Sequence, residues 1–332
     1  MAGFYQDGPQ LSNQYTSDRV LRELLAWTLP DDVRADVEAD LEPFGNRVVG
    51  DVAALAEQAE RYEPRLVPYD PWGRRIDHIE VSPAWSALDR VSAEEGIVAI
   101  GYERAHGEYS RLHQFAKMYL FNPSSAIYTC PLAMTDGAAR AIEVHGDEYL
   151  KANAYRRLTT RDPEQFWTSG QWMTERTGGS DVGQTETVAR YEDGGYRLYG
   201  TKWFTSATTL ARIEDAEGQS VGGSRGLSLF YLETHDDAGD MNRIEVHRLK
   251  DKLGTRSLPT AELSLVGTPA RLVGEPGRGV PNIIALVNVT RIYNAVTAVA
   301  NMRRGLALAR DYARRRRVFG KLLADQPLHV EN

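Results

Sequence analysis

Gly170-Gln171-Trp172-Met173-Thr174-Glu175-Arg176-Thr177-Gly178-Gly179-Ser180-Asp181 and, one hairpin later, Gly200-Thr201-Lys202-Trp203-Phe204-Thr205-Ser206 decide how this chain is read. Between them an alternating stretch, Thr185 to Tyr191 and then Tyr196 to Tyr199, is broken by Asp193-Gly194-Gly195, the pattern of a β-hairpin. Two hydroxyl-rich, Gly-flanked segments therefore fall at neighbouring strand ends. Such a pair can hold a planar, polar-edged molecule with a charged tail. Gly178-Gly179 permits positive φ and close backbone approach, so that successive N–H groups face an anion such as a pyrophosphate. Ser180 adds a donor, and Thr174 can hydrogen-bond the edge of a heterocycle. The plainer reading of these residues is a turn capped by Ser180 and Asp181. Trp203 can likewise flank a flat ring, with Thr205 donating to it, or merely close a half-buried strand, where Trp and Thr are common.

Outward from these segments the periodicity changes twice. Before them it is mostly helical. A short amphipathic piece runs from Asp18 to Trp27, and two helices over Asp31–Tyr62 are divided by Pro43-Phe44-Gly45. A Pro-rich loop from Pro64 to Pro83 carries one short strand, Ile76 to Val81. Helices follow over Ala84–Leu88, Glu94–Arg111, Leu112–Tyr119 and Ala138–Leu150. Short alternating strands come next: Gly170–Thr174, Thr185–Tyr191, Tyr196–Tyr199, Gly226–Leu232, Arg243–Leu249 and Ala261–Val266. Their length and their Gly and Asp turns point to an antiparallel sandwich or barrel. From Asn282 to about Arg317 the apolar positions suit one long helix, whose apolar face needs partners that nothing after it provides. The fold class is thus α+β and multi-domain. It comprises an extension (1–80), a helical domain (81–168), a β domain (169–275) and the first helix of a C-terminal helical bundle (276–332).

Bulk properties narrow the class. The 332 residues suffice for about two domains, and 42% apolar with 26% charged residues is an ordinary globular composition. A net charge of -7 disfavours general affinity for nucleic acid or anionic membranes. The basic run Arg314-Arg315-Arg316-Arg317 reads as the charged end of a helix rather than a phosphate patch. The single cysteine, Cys130, excludes an internal disulfide, fits a reducing compartment and sits in an apolar context as a structural thiol. No apolar run long enough to span a membrane is evident, and Met1–Gln10 does not resemble a signal peptide. A cytoplasmic location is expected.

Other motifs contribute little. Gly222-Gly223-Ser224-Arg225-Gly226 matches G-x-S-x-G in letters only, because a nucleophile elbow needs a strand before it and a helix after. There is no G-x-G-x-x-G after a strand and no P-loop. The histidines at 78, 106, 113, 145, 235, 247 and 329 do not cluster with acids or cysteine, so no metal site is expected.

The two opening segments, in this order, resemble the signature of the acyl-CoA dehydrogenases, an M-T-E-x-x-G-G-S-D element followed by a K-W-[FI]-[TS] strand. Lys252-Leu253-Gly254-Thr255-Arg256 with Pro259-Thr260 is similar to the family's K-x-G-x-R stretch, and Gly274–Gly279 to its loop into the C-terminal domain. Tyr69-Asp70-Pro71-Trp72-Gly73-Arg74-Arg75 and Pro83-Ala84-Trp85 resemble the AidB-like branch, linked to the adaptive response to alkylation. The resemblance covers nearly the whole chain and implies an α, β, α plan.

It also implies FAD chemistry in fatty acid metabolism. A carboxylate removes the proton α to the thioester carbonyl, and a hydride leaves the β-carbon for flavin N5. By motif position Gln171, Trp172, Met173, Thr174, Gly179 and Ser180, with Trp203, Phe204, Thr205 and Ser206, contact the flavin and its pyrophosphate. Arg316, Phe319 and Gln326 reach FAD across a subunit interface, so a homo-oligomer, dimer or tetramer, is implied. Ser180 and Arg291 face the acyl-CoA. No catalytic residue is assigned: the usual base, a Glu later in the bundle, is expected beyond Asn332. The first-helix position where some members carry one is Thr290 here, so little turnover is expected of this chain by itself. The Ser206–Gly226 link looks short enough for one strand to be trimmed. The rival readings are a DNA-protecting AidB-like flavoprotein, for which DNA enters only by analogy, and a fragment without FAD. Acyl chain length and electron acceptor stay open.

Overall fold

The computed structural model describes residues 6–177, 179–205 and 208–331, with the side chains of Phe204, Thr205 and Thr208 left aside. The first half is helical: α1 (Arg19–Thr28), α2 (Asp31–Arg47), α3 (Asp51–Arg61), a hairpin of β1 (Arg65–Tyr69) and β2 (Arg75–Glu80), then α4 (Pro83–Glu94), α5 (Ile100–Glu103), α6 (Ser110–Phe121) and α7 (Thr129–His145). Local chemistry explains the starts. Asp18 caps α1 by accepting from the Leu21 N–H at 3.0 Å, and Ser82 caps α4 through the Trp85 N–H at 3.1 Å, with Pro83 at the first helical position. A broken helix, α8 (Glu148–Leu150) and α9 (Arg156–Leu158), is joined through a π turn at Lys151–Tyr155.

Several sequence expectations need correction here. Pro43 does not divide two helices; it lies inside α2, and the break comes at Val48–Gly50. Burial of Leu41 and Phe44 on either side outweighs the one backbone hydrogen bond that proline removes. Pro64–Pro83 holds two strands rather than one. The expected Glu94–Arg111 helix is interrupted where Gly96 and Arg104 take positive φ, and α7 begins well before Ala138.

The second half is a β domain: β3 (Gln171–Trp172), β4 (Val188–Glu192), β5 (Gly195–Thr205), β6 (Thr208–Ile213), β7 (Leu227–Tyr231), β8 (Ile244–Leu249) and β9 (Ala261–Leu272). The hairpin turn is where the sequence placed it: Glu192 pairs with Gly195, while Asp193 and Gly194 both have positive φ. The path β6-β4-β5-β9-β7 returns to β6, so the strands close on themselves, with β3 and β8 outside the ring. The sheet is mixed rather than antiparallel, because β3 and β4 both run parallel to β6. The Ser206–Gly226 link, read as short, carries β6 in its first part. Gly222–Gly226 is a loop and a short 3-10 turn leading into a strand, held by the buried Arg212, which donates to the carbonyls of Val221 at 2.7 Å and Gly223 at 2.8 Å.

Beyond the barrel α10 (Gly279–Arg315) runs for 37 residues, ~55 Å at 1.5 Å per residue. A hairpin of β10 (Arg317–Val318) and β11 (Lys321–Leu322) and a last turn, α11 (Pro327–Val330), complete the described chain. The start of α10 abuts the barrel so closely that a Cβ on Gly279 would lie 2.7 Å from the Leu227 carbonyl oxygen. Partners do exist for its far half, and they come from the N-terminal segment: Arg303 pairs with Asp18 at 2.9 Å, and Asp311 accepts from the Gln10 N–H at 2.7 Å. Ile292, Val299, Met302 and Leu306 nonetheless stay exposed. Contrary to the expectation of no spanning segment, α10 is long and apolar enough to cross a membrane by length and composition. Its ion pairs and its packing on α7 tie it to this fold. Arg314 and Arg315 close its last turn, as read.

Candidate functional site

The two opening segments lie side by side. The Trp203 N–H donates to the Thr174 carbonyl at 2.9 Å, and the Thr209 hydroxyl donates to the Trp172 carbonyl at 2.7 Å, which pins β3 and its exit onto the barrel. On β5, Leu198, Gly200 and Lys202 share one face by the strand's period of two. Leu198 and Lys202 are both fully buried. A Cβ at Gly200 would sit 2.5 Å from the Thr187 hydroxyl, so only glycine lets β5 approach this closely.

Inside that approach lies a buried ion pair that joins the motifs. Lys202 Nζ is 2.6 Å from Glu175 Oε1, with the two side chains 0% and 3% exposed. The ammonium also donates to the Leu210 carbonyl at 3.2 Å. Glu175 accepts further from the Glu186 N–H at 2.6 Å and the Thr187 hydroxyl at 2.6 Å. Burial alone would raise the Glu175 carboxyl; the Lys202 charge and these donors hold it below the usual carboxylate value. A buried pair this fully bonded keeps its geometry, and losing one partner strands the other charge. The sequence reading named the hydroxyls and missed Glu175 and Lys202. The available signal was a lysine on the inward phase of a strand, which needs a buried acid.

Around this clamp the expected binding residues divide. Thr174 is half-buried, Gly179 and Ser180 are exposed, and the Thr174 and Ser180 hydroxyls have no hydrogen bond among the described residues. At Gly179 the lack of a side chain serves close contact, since a Cβ would lie 3.2 Å from Thr174 Cγ2. Asp181 accepts from the Gly183 N–H at 2.9 Å and caps the next turn. Gln171 and Met173 are half-buried, whereas Trp172 points into the barrel core. The Lys250 ammonium lies 3.6 Å from the centroid of the Trp203 ring, with the Arg176 and Arg248 guanidinium carbons at 5.7 and 6.0 Å. Gly178 and Ser206, and the side chains of Phe204 and Thr205, lie outside the described residues.

The remaining candidates sit elsewhere on the chain. Arg291 is exposed on α10 and has no ion pair among the described residues. The Thr290 hydroxyl bonds the Val287 carbonyl of its own helix at 3.0 Å. Arg316, Phe319 and Gln326 follow the far end of α10: Gln326 donates to the Val318 carbonyl at 2.9 Å, and Phe319 is 97% exposed. Cys130 is half-buried, its thiol pushed up by burial. Among the described residues no group of His, Cys, Asp and Glu suits a metal.

Known proteins match this arrangement along its length. Residues 9–165 match the adaptive response protein AidB N-terminal domain, 170–267 the acyl-CoA dehydrogenase middle domain, and 277–331 the acyl-CoA dehydrogenase C-terminal domain. Acyl-CoA dehydrogenase family member 11 of Caenorhabditis elegans is 47% identical over 99% of this chain, which spans 55% of that relative. AidB of Escherichia coli (strain K12) is 31% identical over 96% of the chain, which spans 59% of it. The solved apo form of Bd2924 superposes with a TM-score of 0.94 at 54% identity, covering 99% of this chain and 67% of that one. The C. elegans ACDH-11 structure in complex with C11-CoA gives a TM-score of 0.96 at 46% identity, covering 100% and 58%. The chain therefore spans little more than half the length of these curated relatives, and it belongs to the acyl-CoA dehydrogenase family, with an AidB-type N-terminal domain.

Proposed function

We propose that this chain carries the FAD-binding part of an oxidoreductase that dehydrogenates the Cα–Cβ bond of an acyl-CoA thioester. One observation carries the reading. The Glu175–Lys202 pair and the Trp203-to-Thr174 backbone bond hold two motif segments together, and the hydroxyls of Thr174 and Ser180 have no hydrogen bond among the described residues. The residues present fit the group. Thr174 offers a donor and acceptor to a ring edge, the exposed Gly179 and Ser180 offer N–H and O–H to a diphosphate, and Arg176 and Lys250 supply nearby positive charge.

Bound there, FAD supplies the acceptor for the hydride that leaves the substrate's β-carbon. This chain's own residues position and do not abstract. Glu175 is held ionised but has its lone pairs engaged by Lys202, Glu186 and Thr187, so it is a positioning residue and not a base. Thr290 has no basicity to offer. The C11-CoA named for the C. elegans relative supports an aliphatic acyl-CoA as substrate. The AidB-type domain does not redirect the reading to DNA, since the net charge of -7 opposes a phosphate backbone.

The test is reconstitution. The folded chain, incubated with FAD and desalted, retains the flavin absorption bands, and T174A with S180A loses them while keeping the wild-type circular dichroism. A folded wild-type chain that retains no flavin ends the proposal. Anaerobic bleaching of the loaded protein by acyl-CoA tests the substrate separately.

A further inference from the structure

Between α3 and α10, beside the turn at Asn122–Ser124, lies a cavity of about 450 Å³ that the flavin reading does not use. Ala53 and Ala56, one turn apart on α3, are small enough to leave this space. The α10 wall carries Asn301 and Arg304, likewise one turn apart. Arg304 is half-buried, and both of its hydrogen bonds go to one atom: Nη1 and Nη2 each lie 3.1 Å from the Ser124 hydroxyl oxygen. That hydroxyl gives its own proton to the Val48 carbonyl, so it accepts from the guanidinium without cancelling its charge. No carboxylate pairs with Arg304 among the described residues; burial and the Arg303 charge pull its guanidinium down to about 10, and no acid offsets them. The Asn301 side-chain carbonyl accepts from Asn122 at 2.9 Å, which leaves its amide N–H groups without a partner among the described residues. On the facing wall Glu57 is paired with Arg61. Glu60, by contrast, has no cation among the described residues; its one bond is from the Ser257 hydroxyl at 3.4 Å, which also donates to the Ala126 carbonyl at 2.9 Å. A cation and a carboxylate thus share one cavity, and neither pairs with the other.

We propose that this cavity binds a small zwitterion of the amino-acid class, with its carboxylate on Arg304 and the Asn301 amide and its ammonium on Glu60. A guanidinium short of partners is best satisfied by a carboxylate, which accepts from it through charge-assisted bonds. A phosphate or a simple acid would answer Arg304 but meet the charges of Glu57 and Glu60, whereas a ligand carrying both signs complements both walls. The inference stands independently of FAD binding.

Calorimetry on the full chain with glycine, 4-aminobutyrate and 6-aminohexanoate, each beside the simple acid and the simple amine of similar length, tests the site. At least one of the three zwitterions binds tenfold or more tightly than both its acid and its amine. R304M removes the binding of that zwitterion. E60Q, at an exposed position, cuts it to the level of the acid and keeps the test decisive even where R304M does not fold. Zwitterions that bind no better than their singly charged counterparts, or binding that survives E60Q or a folded R304M unchanged, overturn the proposal.

Discussion

Asp136 and Glu175 are both carboxylates buried where several elements cross, and their surroundings make them fail differently. Asp136, on α7 and 0% exposed, accepts from Arg111 at 2.8 Å, Gln114 at 2.7 Å, Tyr102 at 2.7 Å and Tyr293 at 3.1 Å. It thereby ties α5, α6, α7 and α10 into one bundle. Three of its four partners are neutral, and the Arg111 side chain is 34% exposed, so the one cation reaches solvent. Glu175 has a single cation, Lys202, with no solvent route at all. A carboxylate spread over many donors tolerates the loss of one; a carboxylate matched to one buried ammonium does not.

The largest expected effect breaks the second case. K202M strands Glu175 and costs about 3–5 kcal/mol of unfolding free energy, and the E175Q/K202M double variant recovers most of it. Urea denaturation of wild type, K202M, E175Q and the double variant checks this; a K202M loss under about 1 kcal/mol would show that the pair does not hold the motifs. Next, R111Q removes the cation from Asp136 and costs about 1–3 kcal/mol, because three donors remain. If R111Q proves as damaging as K202M, the contrast between spread and matched partners is wrong.

Asp40 sharpens the comparison from between these extremes. Burial would raise its carboxyl, but His113 and Lys117, each at 2.7 Å, hold it at about 2 against the ordinary 3.8. A depressed carboxylate stabilises the fold above its unfolded value and loses that contribution as pH falls through the folded one. Discounted for its partial exposure, this amounts to about 1–2 kcal/mol, lost between roughly pH 4 and pH 2. Thermal melts of wild type and D40N should converge over that window; parallel curves refute it. The smallest effects fall on the Thr174 and Ser180 hydroxyls. T174A or S180A alone weakens FAD by about fivefold, ~1 kcal/mol, with no change in melting temperature. A drop in melting temperature without one in affinity would move these residues from binding to support.

Much of this molecule was legible in residue patterns that act locally. Asp193-Gly194 announced the β4–β5 turn, since both residues must take positive φ. The apolar spacing from Asn282 onward announced α10. The M-T-E and K-W segments announced the candidate site and the family. Less legible were features set by residues far apart in the chain. β6 was missed because Thr208–Ile213 carries no turn signal of its own, and its parallel pairing with β3 and β4 is set only by tertiary packing. Pro43 misled because its local cost is overridden by the burial of Leu41 and Phe44.

The sequence by itself determined which segments are strands and helices over most of the chain, and that two hydroxyl-bearing motifs belong to one flavoprotein-type signature. Periodicity, capping and turn chemistry act within a few residues, so they survive reading in one dimension. Only the tertiary structure decided that Glu175 and Lys202 meet, that Asp136 gathers four helices, and that residues 10–18 line the far half of α10. Each of these rests on removing charged or polar groups from water, and that happens only once distant parts of the chain have packed together.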